Sequence, residues 1–396
     1  MMPVLPVGVK IIIERLEECG KRAHIVGGCV RDFLLSKEPF DYDITTNALP
    51  QDMKEIFSDM KTVETGIKHG TLTVICDGLP YEVTTYRVDG EYEDHRRPSS
   101  VKFTDSLFLD LARRDFTMNA ICYSERDGFI DKFSGVEDIK NKLIRAVGNP
   151  AQRFFEDALR ILRAIRFASV LGFEIENETA RAAIEKAYLL KSVSAERIYT
   201  EWKKLIGGTC AYNVISAYGS IISEFLFKEP IVLPEKDLFF KGSPEARQLS
   251  LFLLSVENPS ERFADFCDRM KTDSKTKRLG IAALENQHSD LSTPKDARLL
   301  IIRCGVEVAE LVREVKELCG DKSSLDAHRL REVINGEYPL SLSELKVRGE
   351  DMKALGFSGK EIGKILERLL VMTACDEVKN EREALISAAE NLNNGI

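Results

Sequence analysis

The sequence predicts an α+β head, a mixed sheet with helices, followed by an all-α remainder. Three observations carry this. Over roughly the first 145 residues, short β-branched runs alternate with Gly, Pro and Asp, the texture of strands and turns. Beyond about residue 150, apolar residues recur at three- and four-residue spacing through 151–171, 180–190, 195–206, 245–256 and 295–320, the period of buried helix faces. Hydrophobic residues make up 44% of the 396, so burial alone supplies ample core material. The nine cysteines are scattered and form no Cys-x-x-Cys pair, which argues against disulfides and structural zinc. No run approaches the roughly 18 apolar residues of a membrane span, and Met1–Pro6 lacks the pattern of a signal peptide. The chain therefore reads as reduced and cytoplasmic.

Taken in order, Val7–Cys19 is a helix and Ala23–Val26 a strand that ends in Gly27-Gly28. A helix over Val30–Leu35 leads into an extended Asp41–Thr46. Strands at Thr71–Cys76 and Tyr81–Arg87 flank the turn Asp77-Gly78-Leu79-Pro80. Residues 88–105 carry few bulky aliphatics and many charges, the composition of a long mobile loop. Boundaries are expected near Gly207-Gly208, Pro230–Lys241 and Gly336–Ser343, and there is no internal repeat.

Two short motifs carry chemistry. A Gly pair between strand and helix, Gly27-Gly28, lets backbone N–H groups approach a ligand closely, and a helix N-terminus attracts anions. Arg31 in the first turn adds a charge for a phosphate. Alone, the pair is weak evidence, and a tight strand–helix turn is its plainer reading. Along a strand, side chains alternate, so Asp41 and Asp43 share one face and Tyr42 and Ile44 the other. Two adjacent carboxylates repel unless a cation neutralises them, and hard oxygen ligands favour Mg²⁺. A solvated strand end is the alternative for an isolated Asp-x-Asp; the two motifs together fit a nucleotide–metal site better than either does alone.

Gly27–Asp32 followed by Asp41-Tyr42-Asp43 resembles the signature of the polymerase-β-type nucleotidyltransferase superfamily, specifically its class II branch of tRNA CCA-adding enzymes and bacterial poly(A) polymerases. Asp110–Ala120, which contains Arg114, is similar to the second head motif. Glu156-Asp157-Ala158-Leu159-Arg160, continued by Arg163 and Arg166, resembles the nucleotide-template motif, and Ser194–Ile198 the motif that closes the neck. The resemblance implies a nucleotidyltransferase head over 1–145 and an elongated all-α neck, body and tail over 146–206, 207–320 and 321–396. It implies Mg²⁺ at Asp41 and Asp43, with Glu82 as a third carboxylate. Gly27, Gly28, Arg31, Arg114, Asp157, Arg160, Arg163 and Arg166 are the implied nucleotide-binding residues.

The template motif also has a physical reading. On one continuous helix, Arg153, Asp157 and Arg160 fall on one stripe, Arg163 extends it, and Phe154, Ala158, Ile161, Leu162 and Ile165 form the core face. An Asp157–Arg160 ion pair on a solvated face is the plain reading. The family reading has the carboxylate accept from an exocyclic amine and the guanidinium donate to ring acceptors. Cytosine and adenine satisfy such a pair; uracil and guanine do not.

The implied activity is template-independent addition of C, C and A to the tRNA 3′ end from CTP and ATP, with release of pyrophosphate. Gly66–Thr71 resembles the CCA-adding branch, and the head loop Arg87–Pro98 is present, unlike in enzymes that add only CC. Addition of the terminal A alone, then poly(A) synthesis, are the alternatives. The implied partners are the tRNA acceptor end, CTP and ATP, with no membrane; a homodimer is left open. The net charge of −8, from 56 Lys+Arg against 64 Asp+Glu, argues mildly against nucleic acid. Locally, five arginines between Arg145 and Arg166 face only Glu156 and Asp157, which predicts a basic stripe along the neck.

Overall fold

The computed structural model describes residues 4–90 and 101–394. The chain forms two compact units, Met1–Ile221 and Ile222–Ile396.

In the first unit, α1 (Val7–Glu18) buries Val9, Ile12, Ile13 and Leu16 on one face. It leads to β1 (Ala23–Val26), buried along its whole length. Then come α2 (Gly28–Leu34), β2 (Asp43–Thr46), α3 (Pro50–Ile56), β3 (Lys61–Val63), β4 (Thr71–Cys76) and β5 (Leu79–Thr85). β4 alternates buried and half-buried residues, as a strand covered on one face should. A small ribbon, β6 (Arg87–Asp89) against β7 (Val101–Phe103), comes next. It is succeeded by α4 (Leu107–Ala112), β8 (Ile121–Ser124), β9 (Gly128–Asp131) and α5 (Gly135–Lys140).

Seven strands form one sheet in the order β3-β4-β5-β2-β1-β8-β9. Only β2 and β5 run parallel within it, so the sheet is mixed, as the sequence predicted. Register places Asp43 level with Val26 on one side and Glu82 on the other. The Gly27 turn, the start of β2 and the middle of β5 are thereby brought to one place.

Three readings of the head change. Asp41 precedes the strand, which begins only at Asp43. The two ends of the expected 88–105 loop carry strands β6 and β7, and its residues 91–100 lie outside the described residues. Tyr86, inside the expected strand Tyr81–Arg87, comes after β5 and is fully buried, its hydroxyl 3.1 Å from His24 Nδ1.

Helical structure then takes over. β10 (Leu143–Ile144) is succeeded by α6 (Pro150–Glu156) and α7 (Leu159–Leu171). β11 (Glu174–Ile175) pairs parallel with β10, before α8 (Asn177–Glu185), a 3₁₀ turn at Ala187–Ser192, α9 (Ala195–Ile206) and α10 (Ala211–Ile222). The single helix predicted over 151–171 is two helices. The break is at Asp157, whose φ of −136° and ψ of 103° are extended. Gly207-Gly208, read as a boundary, is a packing point inside the first unit: a Cβ on Gly208 would lie 2.1 Å from Ser169 Oγ.

The second unit is all helical: α11 (Lys236–Phe239), α12 (Pro244–Ser255), α13 (Pro259–Met270), α14 (Ser274–Glu285), α15 (Pro294–Cys304), α16 (Val306–Leu318), α17 (Ala327–Ile334), α18 (Gly349–Ala354), α19 (Lys360–Ala374) and α20 (Arg382–Asn394). The helix predicted over 295–320 breaks at Gly305, with φ +87°, a conformation costly for any residue with a Cβ. Phe227, Phe252, Phe263 and Phe266 pack ring to ring at 4.7–6.0 Å. Leu345, Met352, Leu369 and Leu385 centre a further cluster. Among the described residues, no helix is long and apolar enough to cross a membrane.

Candidate active site

Gly27 adopts φ +84°, ψ −127° as β1 turns into α2. That conformation requires glycine, and a Cβ there would crowd Arg114 Nη1 at 3.2 Å. Its own N–H is committed to the Ile121 carbonyl at 3.2 Å. Beside this turn, Asp43 opens β2 with Asp41 two residues earlier, and Glu82 lies across the parallel pairing on the exposed face of β5. Solvent reaches the Asp43 side chain, yet the surrounding protein crowds it. Desolvation raises its pKa to about 6; Arg114 opposes the rise, and Asp41 and Glu82 add to it. Clustered carboxylates of this kind call for a cation.

That donor set fits a hard divalent ion. Mg²⁺ is commonly held by one or two carboxylates plus substrate phosphates and water. Among the described residues, no three His, Cys, Asp or Glu side chains converge as a complete metal cage.

Arg114 is positioned from below. Asp110 is fully buried. It accepts from Arg113 Nε and Nη2 at 2.9 and 2.8 Å, Thr45 Oγ1 at 3.1 Å and the Arg87 N–H at 3.3 Å. Arg114 Nη2 sits 3.6 Å from the same carboxylate, and its Nε is buried without a hydrogen-bond partner. Arg31 donates from Nε and Nη2 to Asp32 at 2.9 and 2.8 Å, and from Nη1 to Asn119 Oδ1 at 2.9 Å.

The helical side of the site differs from the sequence reading in three respects. Asp157 and Arg160 do not pair. Asp157 Oδ1 accepts the Leu159 N–H at 3.1 Å, and its Oδ2 accepts Arg197 Nη2 at 2.9 Å. Arg160 is 8% exposed. Its Nη1 reaches Glu156 Oε2 at 3.0 Å and the Arg153 carbonyl at 3.2 Å, and its Nη2 the Arg113 carbonyl at 2.8 Å. Arg160 thus ties α7 to the end of α4 and presents no solvated stripe.

The basic stripe is also absent, because carboxylates neutralise it, two of which, Asp115 and Glu201, are distant in sequence. Arg145 pairs with Asp138 at 3.2 Å, Arg153 and Arg160 with Glu156 at 2.5 and 3.0 Å, Arg163 with Asp115 at 2.6 Å and Arg166 with Glu201 at 2.6 Å. Finally, three cations gather at one ring: the guanidinium carbons of Arg166, Arg31 and Arg163 lie 3.7, 5.2 and 5.5 Å from the Phe167 centroid. Burial lowers the Arg166 pKa, an effect Glu201 opposes and Arg163 reinforces.

Asp110, Asp115, Asn119, Glu156 and Arg197 shape the site from inside the motifs quoted above, where the sequence assigned them no partner; Glu201 lies outside those motifs. Glu156–Arg160 at i,i+4 carried a local signal. The spacing gave no sign of the partners of Arg197 and Glu201, which are Asp157 at the end of α6 and Arg166 on α7.

Family models match three stretches of the chain: "Poly A polymerase head domain" over 23–145, the RNA- and SrmB-binding site of polymerase A over 172–218, and domain 2 of tRNA nucleotidyltransferase over 240–389. The CCA-adding enzyme of Pediococcus pentosaceus is 35% identical over 394 residues, covering 97% of both chains. The chain belongs to the CCA-adding enzyme family. The Geobacillus sp. family member is 36% identical over 395 residues, 94% of each chain. The crystal structure of the Bacillus stearothermophilus CCA-adding enzyme in complex with CTP superimposes with a TM-score of 0.74 at 30% identity, covering 99% of both. For a CCA-adding enzyme, the arrangement at Gly27, Asp43 and Glu82 lies inside the matched head segment, and Asp157–Arg166 lies just beyond it.

Proposed function

We propose that this nucleotidyltransferase adds C, C and A to the 3′ end of tRNA from CTP and ATP, without a nucleic-acid template, through a site built on Asp41, Asp43 and Glu82. The observation that carries the reading is the register placing Asp43 beside both the Gly27 turn and Glu82. Family chemistry of this type is divalent-metal dependent, and Mg²⁺ held by Asp41 and Asp43, with Glu82 completing the set, is the proposed ion.

When bound, Mg²⁺ neutralises triphosphate charge and acidifies the primer hydroxyl. The protein's share is positional. The Gly27-Gly28 turn lets the triphosphate approach the backbone, while Arg31 and Arg114 supply positive charge around it. The primer 3′-oxygen attacks the α-phosphorus in line. A P–O bond forms, the α–β bridge breaks, and pyrophosphate leaves with its electron pair. No covalent enzyme intermediate is needed.

Base choice falls to Asp157 and Arg160, with Arg163 and Arg166 near the nucleotide. A carboxylate accepts from the exocyclic amine of cytosine or adenine and repels the carbonyl that uracil or guanine offers there. Arg160 spends three of its five N–H donors on Glu156 and two carbonyls, and the other two are the ones it offers a base. Residues 1–145 act as the head, 146–206 as the neck that reads the base, and 207–320 and 321–396 as body and tail that hold the tRNA by shape and backbone.

Transcripts ending at the discriminator base, at C or at CC, supplied with CTP, ATP or both, test the reading. The expected products end at CCA from all three starts. Extension of the CC-ended transcript alone assigns terminal-A addition, and unlimited A addition assigns poly(A) synthesis; either overturns the proposal.

A further inference from the structure

Asp157 is oriented by two groups. The helix break at this residue turns its carboxylate back onto the first turn of α7, where Oδ1 accepts the Leu159 N–H at 3.1 Å. Oδ2 is held by Arg197 Nη2 at 2.9 Å from α9, 40 positions away. The pair is largely enclosed, with side-chain exposure of 29% for Arg197 and 18% for Asp157. Arg197 lies in the first turn of α9, where a cation opposes the helix dipole, so this position is held by the partner and not by the helix. Its other terminal nitrogen, Nη1, is buried with no hydrogen-bond partner.

A carboxylate has about four lone-pair sites. The Leu159 N–H takes one on Oδ1 and Arg197 takes one on Oδ2, which leaves one acceptor on each oxygen in a defined direction. A single tether would leave the group free to rotate about its terminal bond, and a rotating acceptor discriminates poorly between an amine and a carbonyl.

We propose that Arg197 is a specificity-determining positioning residue, which locks the Asp157 carboxylate in the orientation that admits cytosine and adenine and turns away uracil and guanine. The proposal rests on Asp157 reading the base. Arg197 touches no substrate; it acts through Asp157.

Single-turnover insertion into discriminator-ended and CC-ended transcripts tests this, with C compared against U and A against G. Arg197→Met, which keeps length and loses the donors, is expected to lower both selectivity ratios by about tenfold or more, since a charged hydrogen-bond partner is lost. The loss is expected in weaker CTP and ATP binding, with UTP and GTP insertion held or raised. Arg197→Lys, which restores a donor, is expected to recover most of the selectivity. Where the Met variant does not fold, Arg197→Gln takes its place, and thermal melting identifies the folded variants. Unchanged ratios in the folded variants, or equal losses for right and wrong nucleotides, overturn the proposal. Asp157→Asn separates the two ideas. If it leaves the ratios intact, base reading by Asp157 fails. If it collapses them while Arg197→Met does not, positioning by Arg197 alone fails.

Discussion

Arg163 donates from both Nε and Nη2 to a single oxygen of Asp115, Oδ2, at 2.9 and 2.6 Å, across 48 positions of sequence. The other oxygen accepts the Phe116 N–H at 2.8 Å and Asn119 Nδ2 at 3.1 Å. Burial pushes this carboxyl upward, but the Arg163 charge and the hydrogen bonds outweigh it and bring the pKa to about 2. A depressed folded value means the stabilisation is present above the ordinary value of 3.8 and is lost as pH falls toward about 2. Its size is about 2 kcal/mol. Urea melts between pH 7 and about 2 are expected to show that loss in the parent protein and a shallower acid slope in Asp115→Asn. An identical slope in both would remove Asp115 from the acid response.

Arg160 is expected to matter for stability before it matters for base choice. Arg160→Ala removes donors to Glu156 and to the Arg113 carbonyl, at a cost of about 2–3 kcal/mol. Lys, lacking the planar fork, is expected to recover only part of it. Urea unfolding reads the difference, and selectivity in these variants has meaning only at temperatures where they remain folded.

Gly208 tests the α7–α9 packing. A Cβ there falls 2.1 Å from Ser169 Oγ and 2.6 Å from the Ser169 carbonyl oxygen, which belongs to the backbone and cannot swing aside. Gly208→Ala is expected to lower stability by about 1–3 kcal/mol and to lower the melting temperature accordingly. An unchanged melting temperature would contradict the packing.

Binding of tRNA is expected to weaken steeply with salt, as phosphate contacts release counterions. Because the arginines from 145 to 166 are all paired internally, replacing Arg145 is expected to leave the slope of log affinity against log salt nearly unchanged. Filter-binding titrations check both parts; a flat dependence counts against backbone recognition.

The head was legible because its signals are local. Strand β1, the Gly27 turn and the Asp-x-Asp sit within 20 or so positions, and alternation along β4 and β5 reports which face is buried. The helical side was legible in period and not in partners. Nothing in the spacing from Arg153 to Arg166 reveals that Asp115 arrives from the end of α4 or Glu201 from α9. Counting charge along the chain therefore gave a basic stripe that folding neutralises. The break at Asp157 was hidden for a related reason: apolar spacing continues in phase through it, and the tether to Arg197 is tertiary.

The most direct test of the central claim is single-turnover C addition by Asp41→Ala and Asp43→Ala, with thermal melting run on the same samples. Transfer is expected to fall by at least about a thousandfold in each, with the loss of charge stabilisation at the reacting phosphate, while the melting temperature holds. Near-normal transfer in both variants would contradict the assignment of the carboxylates at the head of β2 as the centre of the reaction.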